Sequence, residues 1–595
     1  SSDRIAKYEY MSGENLKPWF QGDGAYYLYL SGVDQTKQYG VNYFTTVNPY
    51  RLAGTTVPNE QRKTIMELYN GSQFYPEYPA GSTEQNDYVY FPVGTNEFSG
   101  SVTLKDYGVS MAGMQLGDDN GYTAKQNGIL PKDFVAYKNA NGNKSWFIMN
   151  DKIVFVGSDI DDDLNRDVTT TIDNRMSDEN AKLSITAKDS NNKTVSTQNG
   201  VVDNLKWLNY NDTSLDTNIG YYFPENNQVT LSTEVSTQNQ KDIRNVSSQK
   251  DNIITQKYFT MTFEHGKTKD STYSYVVIPN ADAKQMESYA ANPDVTIVEN
   301  SKNIHAVRDD KNQTLAMNFF EAGQSTGVKS DSPVSVLMKK SDNTVTIALS
   351  DPLFKQKEIK LVLDIKNASI ASADERITAK CNADNIELTL NADKLYGQSV
   401  EITLNTDDNN EAMWGNYYQN PFTDVSENSW YYNAVKYVNQ NGIINGISND
   451  KFAPDANTSR AMIAQILYNM ANKPSTSANN PFTDVKQDAW YANAINWAYQ
   501  NNIVSGTTEK TFSPDENITR EALAVILYRY SNSPKVNANL DKYKDASNIS
   551  SWAKDAFAWA IETGLITGMS DNTLNPKGNA TRAQVATIIE RLQTK

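Results

Sequence analysis

The chain is 595 residues long, with 55 Lys+Arg against 71 Asp+Glu, a formal net charge of -16, two histidines and one cysteine. That length exceeds what one hydrophobic core fills, roughly 250–300 residues, so several domains are expected. The acidic balance argues against binding nucleic acid through its phosphates, the lone Cys381 excludes an intramolecular disulfide framework and a thiolate zinc cluster, and no run of about 18 apolar residues offers a membrane-spanning helix.

The opening SSDRIAKYEY has neither a basic n-region nor an apolar h-region and lacks an initiator Met, so it reads as an internal start with further chain expected upstream. The first hundred residues hold 13 tyrosines, together with Trp19 and the tight turn Gly22-Asp23-Gly24. Flat aromatic faces beside Asn, Gln and Asp suit sugars, because ring faces stack on pyranose C–H bonds while amides bond the hydroxyls. The competing reading is that most of these tyrosines pack a β core. Residues 1 to about 405 are otherwise Thr-, Val-, Ile- and Tyr-rich alternating segments between Gly-, Asn- and Asp-rich turns. Examples are KSWFIMNDKIVFVGSDI (Lys144–Ile160), YFTMTFEHG (Tyr258–Gly266) and NTVTIALSD (Asn343–Asp351). Strands at this spacing predict large antiparallel sheets stacked as sandwiches. A polar break, STGVKSDSPV, predicts a division into a large sandwich over 1–325 and a smaller one over 326–405, with 406–419 as a polar linker. Asp159, Asp161 and Asp163 alternate in SDIDDDLN but lack the spaced glycine and terminal Glu of a calcium loop, so a solvated acidic turn is expected. His265 and His305 leave little room for a His-built metal site; no metal and no cofactor are expected.

From Asn420 the pattern changes to three copies of one unit, over 420–474, 480–534 and 541–595. The copies open on NPFTDV, NPFTDV and KYKDAS, and place Trp430, Trp490 or Trp552 just before an amphipathic stretch. Each then has a glycine (Gly446, Gly506, Gly568), a proline (Pro454, Pro514, Pro576), and SRAM, TREA or TRAQ ahead of a second apolar stripe. In the first copy Ala434, Val435 and Val438 share one helical face that Gly442 ends, and Ile463, Ile466, Leu467 and Met470 share another. Thr519 and Thr581 stand where helix N-caps belong, and Thr581 with Gln584 makes a capping box. The copies therefore predict an all-α tandem of three two-helix units.

Arg460, Arg520 and Arg582 each take the first helical position, where a cation opposes the positive end of the helix dipole at a cost of about 0.3–1 kcal/mol. Three copies keeping this choice point to an anion at each helix start, held by free N–H groups and a guanidinium. The alternative is an internal ion pair, for instance with Asp455 or Asp515; the third copy has Lys577 at that place.

FTDV, WYYNAV and GIINGISNDKFAPDANTSRAMIAQIL, with the matching stretches of the other copies, resemble the S-layer homology domain. That resemblance implies a pseudo-threefold unit binding pyruvylated secondary cell-wall polysaccharide through Arg460, Arg520 and Arg582, and a location outside the cell on the wall or S layer of a Gram-positive-type bacterium. Met462, Ala522 and Gln584 stand where an acidic residue is usual in that motif, and Ser459 replaces its Thr. YEYMSGENLKPWFQGDGAYYLYL, YFTTVNPYRLAGTT, VTTTIDNR, HGKTKDSTYSYVVIP and IHAVRDD, in this order, resemble the β domains of family 8 polysaccharide lyases: a central super-sandwich and a C-terminal sandwich. The resemblance implies β-elimination on a uronic-acid polymer of hyaluronan, chondroitin or xanthan type, with the acid–base groups in an upstream α/α toroid and none in this stretch. It also implies that Glu9 supports a catalytic arginine from across the cleft, with Ser12 standing where Asn is usual, and that Arg4, Asn15 and Trp19 neighbour the substrate. Turn chemistry and core packing are the competing readings for Asn15 and Trp19. Neither histidine is expected to be a catalytic base. The alternative for the whole chain is a non-catalytic, S-layer-associated protein that binds glycans.

Overall fold

The computed structural model describes residues 16–17, 19–62, 97–117, 120–129, 137–244, 247–267, 269–415, 418, 420–427, 429–476, 480–536, 539–568 and 572–594. The chain divides into two compact units, Ser1–Tyr417 and Tyr418–Lys595. The first is antiparallel β and the second helical, as the patterning predicts.

Among the described residues the first unit is three stacked sheets of eleven, seven and five strands. Its construction is visible in one hairpin, Asn141–Met149 with Lys152–Asp161, where Met149 pairs with Lys152 across Asn150-Asp151. Asn150 has φ 52°, the left-handed conformation that a two-residue hairpin turn demands and Asn tolerates. Alternation then sends successive side chains to opposite faces. Phe155 joins a cluster with Ile172, Tyr221, Phe259 and Tyr275 on one face. Val154 and Val156 face the other way and pack with Val307, Ala316, Leu337 and Ala348 of the seven-stranded sheet. That middle sheet is covered twice, because Leu315, Met317, Val336 and Ile347 meet Ile359, Leu361 and Leu388 of the five-stranded sheet on its far side. A strand buried on both faces has no solvent side, which explains why Val334–Met338 is buried at every position and carries the consecutive apolar residues Val336, Leu337 and Met338.

Two expected boundaries are corrected. The stretch 326–335 does not separate two sandwiches: the strands Thr314–Phe319 and Val334–Ser341 on either side of it are hydrogen-bonded neighbours in the middle sheet. Its polar, turn-rich sequence instead builds a small hairpin, Gly323–Ser325 with Val328–Ser330, around Thr326 and Gly327 at φ 45° and 73°. That hairpin carries the chain into the five-stranded sheet through its pairing with Glu358–Leu363. The stretch 406–419 is likewise not a free linker over its first ten residues. Asn410 caps a short helix, Glu411–Trp414, whose Met413 and Trp414 fill the core between the middle and five-stranded sheets.

Among the described residues the second unit has six α-helices: α1 (Tyr432–Gln440), α2 (Arg460–Met470), α3 (Ala492–Gln500), α4 (Arg520–Tyr530), α5 (Lys554–Glu562) and α6 (Arg582–Thr594). Helices pack across repeats, α2 on α3, α4 on α5 and α6 back on α1, so the three repeats close on themselves. The segments before the second helices meet in a backbone ring: Thr458 N–H donates to Ala580 O at 3.0 Å, Ala580 N–H to Ile518 O at 3.0 Å and Ile518 N–H to Thr458 O at 2.8 Å. Among the described residues no helix is long and apolar enough to cross a membrane.

Trp414 is 2% exposed and Trp430 68% exposed. Trp414→Ala is therefore expected to destabilise the first unit by about 3–5 kcal/mol through loss of buried area and the cavity left behind. Trp430→Ala is expected to stay within about 0.5 kcal/mol. Urea unfolding followed by a probe in each unit checks the contrast.

Candidate functional site

Arg4, Glu9, Ser12 and Asn15 lie outside the described residues. Trp19 is described, and its expected place against a substrate is corrected. It is 5% exposed and stands edge-on to Phe44 at 5.9 Å, within a core of Tyr43, Val47, Leu52, Met176, Ile243 and Tyr258. A ring enclosed on all sides offers no face to a sugar. Of the described tyrosines near the start of the chain, Tyr26, Tyr39 and Tyr43 are also packed inward, while Tyr29 stands 64% exposed. Beneath this layer Arg175 of VTTTIDNR is buried, donating to Asp173 Oδ2 at 3.1 Å and to Tyr39 Oη at 2.9 Å, so it ties the helix Gln35–Tyr39 to the sheet. The turn Gly22-Asp23-Gly24 closes over the buried Lys144, whose ammonium donates to the Gly54 and Asp23 carbonyls and to Thr56 Oγ1 at 2.9 Å. A Cβ on Gly24 would lie 2.6 Å from that Nζ, and Gly24 also has φ +92°, so the position requires glycine.

Both histidines are held by hydroxyls. His265 meets Thr170 Oγ1 and Ser271 Oγ at 2.8 Å each, and burial pushes its pKa down to about 4. His305 is fully buried between Ser145 Oγ and Ser158 Oγ, each at 2.8 Å. Ser158 donates its proton to Ser301 O, so His305 Nε2 carries the hydrogen and Nδ1 accepts from Ser145. Burial lowers the His305 pKa to about 3 and keeps the ring neutral. The acidic turn is ion-paired: Asp159 with Lys302 at 3.1 Å and Asp163 with Lys138, while Asp161 accepts from Asn141. Among the described residues no group of three or more His, Cys, Asp or Glu side chains is placed to hold a metal.

In the second unit the three arginines predicted from sequence occupy equivalent sites, and each reaches into the following repeat. Arg460 donates from Nε to Phe512 O and from Nη2 to Ser505 O, both at 2.9 Å. Arg520 donates to Leu574 O and Thr567 O, at 2.9 and 3.1 Å. Arg582 closes the circle on the first repeat, donating to Phe452 O and Asn445 O at 2.8 Å each. The accepting loops are tied down by the Asp of the opening motif, since Asp424 accepts from Phe452 N–H and Ala453 N–H at 2.9 and 2.8 Å. Asp484 does the same for Phe512 and Ser513, and Asp545 for Leu574 and Asn575. Gly446 and Gly506 permit the fold of these loops: a Cβ there would fall 2.4 and 2.3 Å from the carbonyls of Ser448 and Thr508.

This geometry corrects the expected anion cradle at the helix starts. The N–H groups of Arg460 and Ala461 donate to Glu516 O and Pro514 O, those of Arg520 and Glu521 to Gly578 O and Pro576 O, and those of Arg582 and Ala583 to Ala456 O and Pro454 O. The next N–H of each helix is capped by Ser459, Thr519 or Thr581. The first-turn donors are thus already consumed. The guanidiniums differ: among the described residues none of the three forms an ion pair, and burial lowers the pKa of each despite carboxylates farther off, Glu516 and Asp484 near Arg460, Asp545 near Arg520 and Asp424 near Arg582. The ion pair that does bridge repeats is Lys577 with the buried Glu521, at 2.5 Å. Trp430, Trp490 and Trp552 are 68%, 61% and 61% exposed, a feature that helical periodicity alone does not disclose because they precede their helices.

Comparison with known proteins likewise separates a β part from the repeats, and places a boundary within the β part between residues 290 and 296. The family model described as polysaccharide lyase family 8, super-sandwich domain, matches residues 1–290, and the family's C-terminal beta-sandwich domain matches 296–360. The S-layer homology domain matches three times, at 421–462, 481–524 and 542–586. A hyaluronate lyase of Enterococcus faecalis is 27% identical over 407 residues, covering 68% of this chain and 36% of its own length. A xanthan lyase of Bacillus sp. is 29% identical over 411 residues, covering 68% and 39%. The chain therefore spans well under half the length of these relatives. The solved structure of Paenibacillus xanthan lyase superposes with a TM-score of 0.54 at 23% identity, covering 69% of this chain and 35% of that one. That of Streptomyces coelicolor chondroitin AC lyase gives 0.53 at 22%, covering 68% and 46%.

Two measurements test these assignments. Because His305 has its folded pKa below its unfolded value of 6.5, the unfolded chain takes up a proton that the fold excludes as pH drops. Stability is then fully present above about pH 6.5 and falls by roughly 3 kcal/mol on going to about pH 4 from this residue alone. His305→Gln is expected to flatten that part of the pH dependence of the first unit's urea midpoint. Arg520→Ala removes two charge-assisted bonds and strands two carbonyls, so it is expected to cost the second unit about 2–4 kcal/mol in the same measurement.

Proposed function

We propose, for a chain that belongs to polysaccharide lyase family 8 through its two β domains and continues into three S-layer homology domains, that it is the C-terminal portion of a wall-anchored lyase acting outside the cell. The reaction is β-elimination on a uronic-acid polymer, with hyaluronan, chondroitin and xanthan as the candidate substrates. In this reading the first unit is the wall of the cleft facing an upstream α/α toroid, which carries the acid–base groups. Glu9 orients a catalytic arginine there, and Arg4, Ser12 and Asn15 border the substrate. The neutral, hydroxyl-locked His265 and His305 fit this assignment, because a general base must be exposed to its proton donor and titrate near the working pH.

The second unit is the anchor, binding an anionic, pyruvylated secondary polymer of a Gram-positive-type cell wall. The observation that carries this reading is three half-buried or buried guanidiniums, each fixed by two carbonyls and lacking a carboxylate partner among the described residues. Carbonyls fix the planar fork in place while leaving its positive charge unneutralised, so a carboxylate arriving from solvent meets an oriented donor. The exposed Trp430, Trp490 and Trp552 add faces of the kind on which sugar rings stack.

Co-sedimentation of the purified chain with isolated walls tests the anchor. Binding to native walls and its loss after acid removal of pyruvate are expected; equal binding to both overturns it. Arg520→Lys, which keeps the charge but loses the fork, is expected to weaken binding more than Lys436→Ala. For the enzyme, release of unsaturated uronide is expected from the protein in which a toroid precedes these residues and not from the 595 residues alone. Release by the 595 residues alone would overturn the placement of the acid–base groups, and none from the longer protein would favour a purely glycan-binding role.

A further inference from the structure

Two neighbouring connections of the first unit each hold an exposed aromatic ring on left-handed backbone. The loop 351–357 leaves the middle sheet after the strand Thr344–Ser350 and enters the five-stranded sheet at Glu358–Leu363. The loop 392–399 returns the chain from Ile386–Asn391 to Val400–Asn405. Leu349 pairs with Val400 and Glu358 with Asn391, so the two crossovers run side by side at one end of the stack. Their course is fixed by internal bonds. Asp351 accepts from the Leu353 and Gln356 N–H groups at 2.9 and 3.0 Å, and Ala392 N–H donates to Lys357 O at 2.9 Å. Phe354 has φ 62° and is 47% exposed; Tyr396 has φ 51° and is 67% exposed. Among the described residues they are the two aromatic side chains with positive φ, where most other non-glycine residues are Asn or Asp, whose short polar side chains tolerate it. A bulky ring is strained in that conformation, and an exposed one regains little by burial. The Phe354 ring rests on Gly397, where a Cβ would fall 2.8 Å from its Cε1 and Cζ. Covalent geometry then places the Tyr396 Cα within about 8 Å of that ring. The loops also carry Lys355, Lys357 and Lys394. Lys355 pairs with Glu97, and among the described residues neither Lys357 nor Lys394 forms an ion pair. Asp351 is buried and bonded within its loop, so Asp393 is the exposed carboxylate of the two loops.

We propose that Phe354 and Tyr396 form a stacking platform for an acidic polysaccharide, with Lys357 and Lys394 attracting its carboxylates. Pyranose C–H faces pack on the two aromatic rings, and the lysines favour a polymer that bears negative charge. Loops fixed by their own hydrogen bonds present the rings in place before any sugar arrives, so little ordering cost falls on binding. The strained backbone then has a use that burial does not supply, since it holds both rings toward water. The choice of polymers rests on the lyase reading argued above.

Affinity electrophoresis of the full chain through native gels containing hyaluronan, chondroitin sulfate or xanthan tests it. Wild type is expected to be retarded by at least one of the three. Phe354→Gly combined with Tyr396→Gly is expected to raise the apparent Kd for that polymer about tenfold. Glycine takes positive φ without strain, so the same double variant is expected to keep or raise the urea midpoint of the first unit. Lys357→Gln combined with Lys394→Gln is expected to weaken retardation and to make it less sensitive to salt. Equal retardation of wild type and the glycine variant, or retardation of neither, overturns the platform. A urea midpoint that falls in the glycine variant assigns the rings to the fold and likewise overturns it. The lyase reading is judged separately, by uronide release from the longer protein, and survives each of these results.

Discussion

The second unit depends on one constraint: the backbone donors at a helix start must be satisfied, and here each repeat leaves that task to its neighbour. Arg460, Arg520 and Arg582 stand at the first helical position, and their own N–H groups are bonded to carbonyls of another repeat. The charge placed against the helix dipole is a small cost beside two guanidinium bonds to fixed carbonyls. The same residue thus contributes to closing the ring twice, once by its backbone and once by its side chain. A single repeat would leave the first two N–H groups of its second helix without these partners and bury only part of its apolar face. The unit is consequently a set of three, with the Thr458–Ile518–Ala580 ring at the meeting point.

An equivalent constraint orders the first unit through side chains rather than caps. The middle sheet packs on both faces, so its central strands are buried at odd and even positions alike, and the polar residues among them, such as Asn318 and Ser335, need internal partners. The five-stranded sheet needs only one apolar face, and its strand Ile386–Asn391 alternates buried with less buried positions accordingly. Within the middle sheet His305 is bonded at both ring nitrogens for the same reason as those polar residues: Ser145, Ser158 and Asn318 form a small network around that ring.

These two constraints also explain how much was legible in the sequence. Alternation in Lys144–Ile160 and Asn343–Asp351, and helical stripes such as Ile463, Ile466 and Leu467, are local patterns with a local cause, and the elements follow them. The stretch 326–335 misled because a polar, turn-rich string looks the same whether it joins two domains or two sheets of one stack. Met413 and Trp414 sit in a sequence that reads as linker, and only the gap left between the sheets gives them a place. Trp19 carries no periodic signal that separates a buried ring from a sugar platform. The residues expected to border a lyase cleft, Arg4, Glu9, Ser12 and Asn15, lie outside the described part of the chain, so for them the sequence remains the whole of the argument. The three arginines are legible by their position in each repeat, but the reason they stand there is not local, because their carbonyl acceptors belong to another repeat.

The electrostatics of the second unit are compatible with the anionic ligand proposed for it, despite a net charge of -16. Long-range repulsion between an acidic protein and an acidic polymer is screened within a Debye length of about 8–10 Å at physiological salt. What decides binding is the field at contact, where burial lowers the effective dielectric and strengthens any charge–charge attraction. Arg520 and Arg582 are already largely removed from water, and their pKa values are lowered rather than raised, so the desolvation cost that usually cancels an ion pair falls on folding rather than on binding. A carboxylate arriving there meets a fixed donor whose hydration is mostly gone.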